Sequence, residues 1–578
     1  MHLSRREFLR LLAIASAAGI PLSGCGSPGR PGGLLSKDPT DPYELRPFGN
    51  VSVLHFTDCH AQLLPVYFRE PNVNLGVGTM KNHPPHLVGE WFLKYYGVPS
   101  GSRNAHAYTY LDFVAAAHKY GALGGFAHLA TLVKRLRAQR PGALLLDGGD
   151  TWQGSATSLW TRGQDMVGAQ LQLGVDVTTG HWEFTYGADR VKEIVDKQLK
   201  GKIHFLAQNI VDNQWGDAVF EPYIIREMNG VPVAIIGQAF PFTPIANPRY
   251  MIPDWRFGIR EDRMQKMVNQ ARGKGAQAVI LLSHNGMDVD LKLASRIRGI
   301  DAIMGGHTHD AVPRAVEVGN AGGKTLVINA GSNGKFLGVL DLDVRNGRVQ
   351  GYQFKLLPVF SNLLPADPAM SAYIEKVRAP YEAKLNEPLA TTHDLLYRRG
   401  NFNGTFDQVI CDALRTVKST QIAFSPGFRW GISVLPGETV TMEQLLSQTA
   451  ITYPVVTRNL FTGTQIKGIL EDIADNLFNR DPYYQQGGDM IRVGGMHYTM
   501  DPTADIGHRI SDMELDGKPI DAHRKYSVAG WANVTRPLEG QAIWEVVSEY
   551  MKDQKVIDVK GVDQPKLKNI TGNHGYAT

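Results

Sequence analysis

The sequence predicts a layered α/β protein built as two domains. Short runs that are apolar throughout, such as Ala143-Leu144-Leu145-Leu146 and Ala278-Val279-Ile280-Leu281-Leu282, alternate with segments of helical periodicity. Runs without polar alternation belong to strands covered on both faces, which puts helices outside the sheets. A change of texture after Pro358, in a chain of 578 residues, provides for a second core.

Taken in order, Val51–Phe56 reads as a strand that runs into Thr57-Asp58-Cys59-His60. A helix is expected over 124–140, with Leu129, Leu132, Val133 and Leu136 on one face. It leads into a buried strand, 143–146, that breaks at Asp147-Gly148-Gly149-Asp150. Further strands are expected at 204–207, 233–236, 278–282, 302–304 and 325–328. Residues 69–121 are rich in His, Pro, Asn and Tyr and show no period, so a long insertion near the mouth of a site is expected there, with a part in partner recognition. Residues 367–385 have helical spacing and enough charge for a solvent-exposed connector. The expected organisation is an export segment over 1–24, a flexible tether over 25–47, a metal-binding domain over 48–360, a linking helix over 361–386 and a second domain over 387–578.

Hydrophobic residues make up 43% and charged residues 20% of the chain, as in ordinary globular proteins. A formal charge of +4, without a basic block, gives no support to nucleic-acid binding. At the N-terminus, Arg5-Arg6 precedes the apolar stretch from Leu11 to Leu22, which is too short for a stable membrane span. Paired arginines before a modest apolar segment resemble a twin-arginine export signal, so the mature protein is expected in the periplasm without a transmembrane domain. Leu22-Ser23-Gly24-Cys25 resembles a lipoprotein box that would leave a lipid anchor on Cys25; simple cleavage nearby fits the same residues. An oxidising compartment would also allow Cys59 and Cys411 to pair, although two scattered cysteines form no framework.

The chemistry gathers at strand ends. Asp58 and His60 follow the first strand, and Asp150 follows two glycines at the end of another. His284 closes Leu282-Ser283-His284, and His307 and His309 follow Gly305-Gly306. Strand ends in a parallel sheet collect on one edge, so distant segments can supply one cluster. Carboxylates and neutral imidazoles suit manganese, iron, zinc or cobalt, and this many ligands exceed a closed four-coordinate zinc site. Asp150 is the candidate bridge between two ions.

Asp58-Cys59-His60, Gly148-Gly149-Asp150 and Gly306-His307-Thr308-His309 resemble the calcineurin-like metallophosphoesterase pattern, and the second domain resembles that of the 5′-nucleotidases. The resemblance implies a four-layer sandwich followed by a nucleotidase-type α/β domain. Stretches such as Tyr67-Phe68-Arg69-Glu70-Pro71-Asn72, Gly180-His181-Trp182-Glu183-Phe184 and Ser425-Pro426-Gly427-Phe428-Arg429-Trp430 are more specific and resemble the SoxB thiosulfohydrolases. Where nucleotidases read Gly-Asn-His-Glu-Phe-Asp, this chain carries His181 in the metal position and Trp182 and Thr185 in place of the His–Asp dyad.

What the resemblance implies is hydrolysis of a cysteine S-sulfonate on the SoxYZ carrier protein, releasing sulfate, with a dimanganese (Mn2+) centre whose bridging hydroxide attacks sulfur. One ion would take Asp58, His60, Asp150 and His309, the other Asp150, His181, His284 and His307. Arg429 would hold the anionic group. Arg398, Arg399, Asn209, Tyr483, Tyr484 and Asp489 are further candidates for substrate contact, and Trp182 for the pocket wall. A periplasmic 5′-nucleotidase is the alternative reading, and a non-enzymatic metal- or carrier-binding module a more distant one.

Overall fold

Strand direction decides where the candidate ligands meet. The computed structural model describes residues 41–577; the export segment 1–24, Cys25 and the tether as far as residue 40 lie outside the described residues. Arg46–Thr578 packs as a single unit. A first six-stranded sheet runs in the order Arg348–Pro358, Phe336–Arg345, Val51–Phe56, Leu144–Asp147, Val177–Thr178, His204–Phe205. A second runs Val316–Asn320, Gly323–Asn329, Ala302–Gly305, Ala278–Ser283, Val231–Gln238, Tyr223–Met228.

Val51–Phe56, Leu144–Asp147 and Val177–Thr178 are mutually parallel neighbours. Ala278–Ser283 is parallel to both Ala302–Gly305 and Val231–Gln238. Each candidate metal ligand therefore sits just past the C-terminal end of a parallel strand, which is where such sheets bind ligands.

The two sheets meet face to face. Val53 and Leu146 from one and Ile235, Ile280 and Leu282 from the other share one buried layer. Full burial of each such side chain contributes roughly 1.5–3 kcal/mol. On the outer side of the second sheet, Met264 and Val268 of the helix Glu261–Gly273 and Leu293 of Met287–Arg296 pack on Ile236, Val279 and Ile303. On the outer side of the first, Phe126 of the helix Phe126–Gln139 meets Phe56 edge-on with ring centroids 6.1 Å apart. The result is helix, sheet, sheet, helix.

Three expectations are corrected. The insertion at 69–121, aperiodic in sequence, carries the helices Gly89–Tyr96, Arg103–Tyr108 and Phe113–Tyr120, and its Asn74, Pro85 and His86 line a cavity with His307 and Arg429. It is also built into the body: Lys335, fully buried, bonds Glu70 at 2.5 Å, and the Leu75 amide donates to Asn401 Oδ1 at 2.7 Å. The connector is not solvent-exposed all round, because the helix Pro368–Arg378 buries Met370 and Ile374. Cys59 and Cys411 are both free and buried rather than paired.

In the C-terminal half, a four-stranded sheet runs Thr457–Thr462, Lys525–Gly530, Ile422–Ser425, Arg492–Gly494. One apolar cluster joins the helices Thr405–Lys418, Met442–Thr449 and Ile543–Gln554, and it extends to Trp182. Trp182 thus belongs at once to a metal loop and to the core of the second half. No helix among the described residues is long and apolar enough to cross a membrane.

Candidate metal centre

Seven side chains converge from five strand ends. Asp58, His60, Asp150 and His309 offer ligand atoms within 4.8 Å of one another, and so do Asp150, His181, His284 and His307. All seven are buried. Asp150 Oδ2 is the common point, 3.2 Å from His181 Nδ1, 3.0 Å from His284 Nε2 and 3.6 Å from His60 Nε2. Asp58 Oδ1 lies 3.2 Å from His309 Nε2, and His60 Nε2 lies 3.1 Å from His309 Nε2.

The backbone is bent to allow this. Asp58, His60, Asp150, His307 and His309 all have positive φ, a conformation that L-residues adopt rarely and that costs free energy where it occurs. At Gly306 a Cβ would lie 2.4 Å from Thr57 Oγ1, so only glycine lets the His307 turn close over Asp58. The His307 amide then donates to the Asp58 carboxylate at 3.0 Å.

The electrostatics call for positive charge at the centre. Burial would lower the His284 pKa, but the neighbouring Asp150 and Asp58 carboxylates outweigh it and carry the imidazole up to about 10. Burial would raise the Asp150 carboxyl, yet His181 and His284 hold it well below the ordinary range. Burial pushes His60 down to about 3, leaving it a neutral donor. Carboxylates held ionised, His60 and His307 held neutral, a His284 imidazole drawn towards the charge that a cation would otherwise supply, and two nitrogens facing each other at His60 and His309 fit a pair of divalent ions.

Glu183 holds the two metal loops together. Its carboxylate accepts from the amides of Thr151 at 2.7 Å, His181 at 2.8 Å and Asp150 at 3.3 Å. Sequence reasoning assigned it no role. Nor did it find Asn247, whose Oδ1 lies 3.1 Å from His181 Nε2; nothing local in Ala246-Asn247-Pro248 marks a partner so distant in the chain.

A cavity of about 320 Å³ opens onto the cluster, walled by Trp182, Phe240, Phe428 and Trp430 and reached by Arg429 and Asp489. Arg429 Nη1 is buried without a protein partner, while its Nε lies 3.5 Å from Asp489 Oδ1. The other substrate candidates are placed elsewhere. Arg398 is spent on Asp407 at 2.7 Å and on the Gln448 and Pro426 carbonyls. Arg399 turns the opposite way, bonding the Thr308 carbonyl at 3.0 Å. Asn209 binds backbone at Ala239 and Gly258. Tyr483 bonds Glu261 at 2.5 Å, and Tyr484 stands 64% exposed; neither borders this cavity.

Residues 389–549 match the family model of the 5′-nucleotidase C-terminal domain. Among solved structures, the Thermus thermophilus sulfate thiohydrolase SoxB in complex with glycerol is 37% identical, with a TM-score of 0.87 covering 91% of this chain and 98% of that one. A 5′-nucleotidase precursor from Thermus thermophilus shares the fold at 21% identity, with a TM-score of 0.71 over 90% of this chain and 99% of that one. The human 5′-nucleotidase is 26% identical over 523 residues, or 79% of this chain and 87% of that protein.

Proposed function

Because the chain belongs to the SoxB family of sulfate thiohydrolases, we propose that it hydrolyses a cysteine S-sulfonate presented by the SoxYZ carrier protein and releases sulfate. One observation carries this reading: an unpartnered arginine nitrogen and the ligand cluster share a cavity in which the nucleotidase His–Asp dyad is replaced. Trp182 packs against Phe428 and Tyr453, and Thr185 turns its hydroxyl onto the Trp182 carbonyl at 2.7 Å. Neither is a proton donor for an alkoxide. The cysteine thiolate released when water attacks the sulfonate sulfur and the S–S bond breaks departs as a stable anion and needs none.

In this reading Asp58, His60, Asp150 and His309 hold one ion, and Asp150, His181, His284 and His307 hold the other, with Mn2+ the expected metal. When bound, such a pair supplies Lewis acidity and lowers the pKa of water to near neutrality. Arg429 orients the sulfonate oxygens through Nη1, a geometry that guanidinium donors suit. The aromatic wall excludes water from the arm that bears the substrate. The domain limits 48–360, 361–386 and 387–578, export to the periplasm by the twin-arginine route and processing near Cys25, by lipid anchoring or by simple cleavage, complete the reading.

Nucleotide hydrolysis is the competing reading, and the Trp182 and Thr185 side chains that stand in place of the His–Asp dyad speak against it. The test compares sulfate release from a defined carrier S-sulfonate with phosphate release from AMP, using one Mn2+-loaded preparation. Efficient AMP turnover without sulfate release would overturn the proposal.

A further inference from the structure

The two ligand sets differ in what holds their imidazoles. In the first, His60 Nδ1 lies 3.2 Å from the Gln153 carbonyl, a few residues past Asp150. In the second, His284 Nδ1 lies 2.6 Å from the Gly148 carbonyl. Both carbonyls belong to the loop that carries Asp150. His181 and His307 are held differently. His181 Nε2 meets Asn247 Oδ1 at 3.1 Å, and Asn247 Nδ2 donates to the Tyr453 hydroxyl at 3.3 Å. His307 Nε2 meets the Gln486 carbonyl at 3.0 Å. Tyr453 and Gln486 both lie in the C-terminal half, and Tyr453 stacks on Trp182 at an interplanar angle of 5°.

A neutral imidazole carries one N–H and one lone pair. An oxygen acceptor at one nitrogen takes the N–H and leaves the lone pair on the other, which fixes both tautomer and ring orientation. For His181 and His307 the nitrogen left to ligate is Nδ1. We propose that Asn247 and the Gln486 carbonyl are positioning groups for the second ion and not for the first. Two of the four second-set ligands lose their orientation when those contacts are lost; the first set loses none of its hydrogen bonds. The approach is close enough to perturb: a Cβ at Gly487 would lie 2.3 Å from His307 Nε2.

The test is Mn2+ binding to the full chain after chelation, read by elemental analysis following dialysis and by the electron paramagnetic resonance of paired against single ions. In Asn247→Leu, and independently in Gly487→Ala, one ion should keep its parental affinity while the other weakens by ~10–100-fold. Asn247→Asp, which retains an acceptor oxygen, should restore the pair. Equal weakening of both ions, or parental affinity for both, would overturn the proposal. If Asn247→Leu fails to fold, as judged by its melting in chelator, Gly487→Ala decides by the same readout. Because metal binding is measured without substrate, failure here leaves the sulfate-release reading untouched.

Discussion

Arg429 and Asp489 form a pair in which the carboxylate serves as an orienting post: Nε is 3.5 Å from Oδ1 while Nη1 remains unbonded beside the metal cluster. Burial lowers the Arg429 pKa, and Asp489 opposes that shift. Arg429→Ala should retain both ions and lower sulfate release by ~10²–10³-fold, the usual cost of losing a preorganised oxyanion donor. Asp489→Asn should cost less, because the guanidinium stays but is held more loosely. Sulfate release measured with metal content on the same samples checks both, and normal turnover in metal-replete Arg429→Ala would remove Arg429 from the mechanism.

Asp150 touches both ligand sets, unlike the positioning groups. Asp150→Asn should therefore lose both ions on dialysis and all measurable turnover, whereas Asn247→Leu should lose only one. Elemental analysis of the two variants side by side distinguishes them. Two ions retained in Asp150→Asn would show that this carboxylate is not their bridge.

The ligand positions were readable because each follows an apolar run at a strand end, a signal both local and repeated. Their partners were not. Glu183 acts through amides on a separate loop, and Asn247 reaches His181 only when the chain is folded. Arg398 and Arg399 looked alike in sequence, yet one faces Asp407 and the other Thr308, because neighbouring residues point apart. The helices of the 69–121 insertion escaped notice for another reason. None exceeds the eight residues of Gly89–Tyr96, too few for propensity or periodicity to accumulate, and packing on the body holds them instead.

The cysteines offer a check on that packing. Burial raises the thiol pKa of both Cys59 and Cys411 well above the ordinary value, with nearby carboxylates adding to it. Inert thiols are expected at both positions in the native protein. Alkylation followed by peptide mass mapping should leave 59 and 411 unlabelled until denaturant is added, then label both. A 59–411 disulfide peptide in protein purified without reductant would contradict the structure.

The His86–Asp288 pair predicts a pH dependence for the insertion. His86 Nε2 lies 2.9 Å from Asp288 Oδ2, and Nδ1 lies 3.2 Å from the Asn74 carbonyl. Burial would lower this imidazole's pKa, but Asp288, aided by Asp310, raises it above its ordinary value. A raised folded pKa means that the stabilisation is complete below ~6.5 and is lost as pH climbs through the folded value. A charged hydrogen bond of this kind contributes about 1.5–3 kcal/mol. Hydrogen exchange at the amides of Leu87 to Leu93, corrected for intrinsic rates, should accelerate with rising pH in the parent protein. In His86→Gln, which cannot charge, exchange should be faster at low pH and flat across the range. Identical profiles would mean that the bond holds the segment without a proton, and that burial rather than Asp288 governs the imidazole.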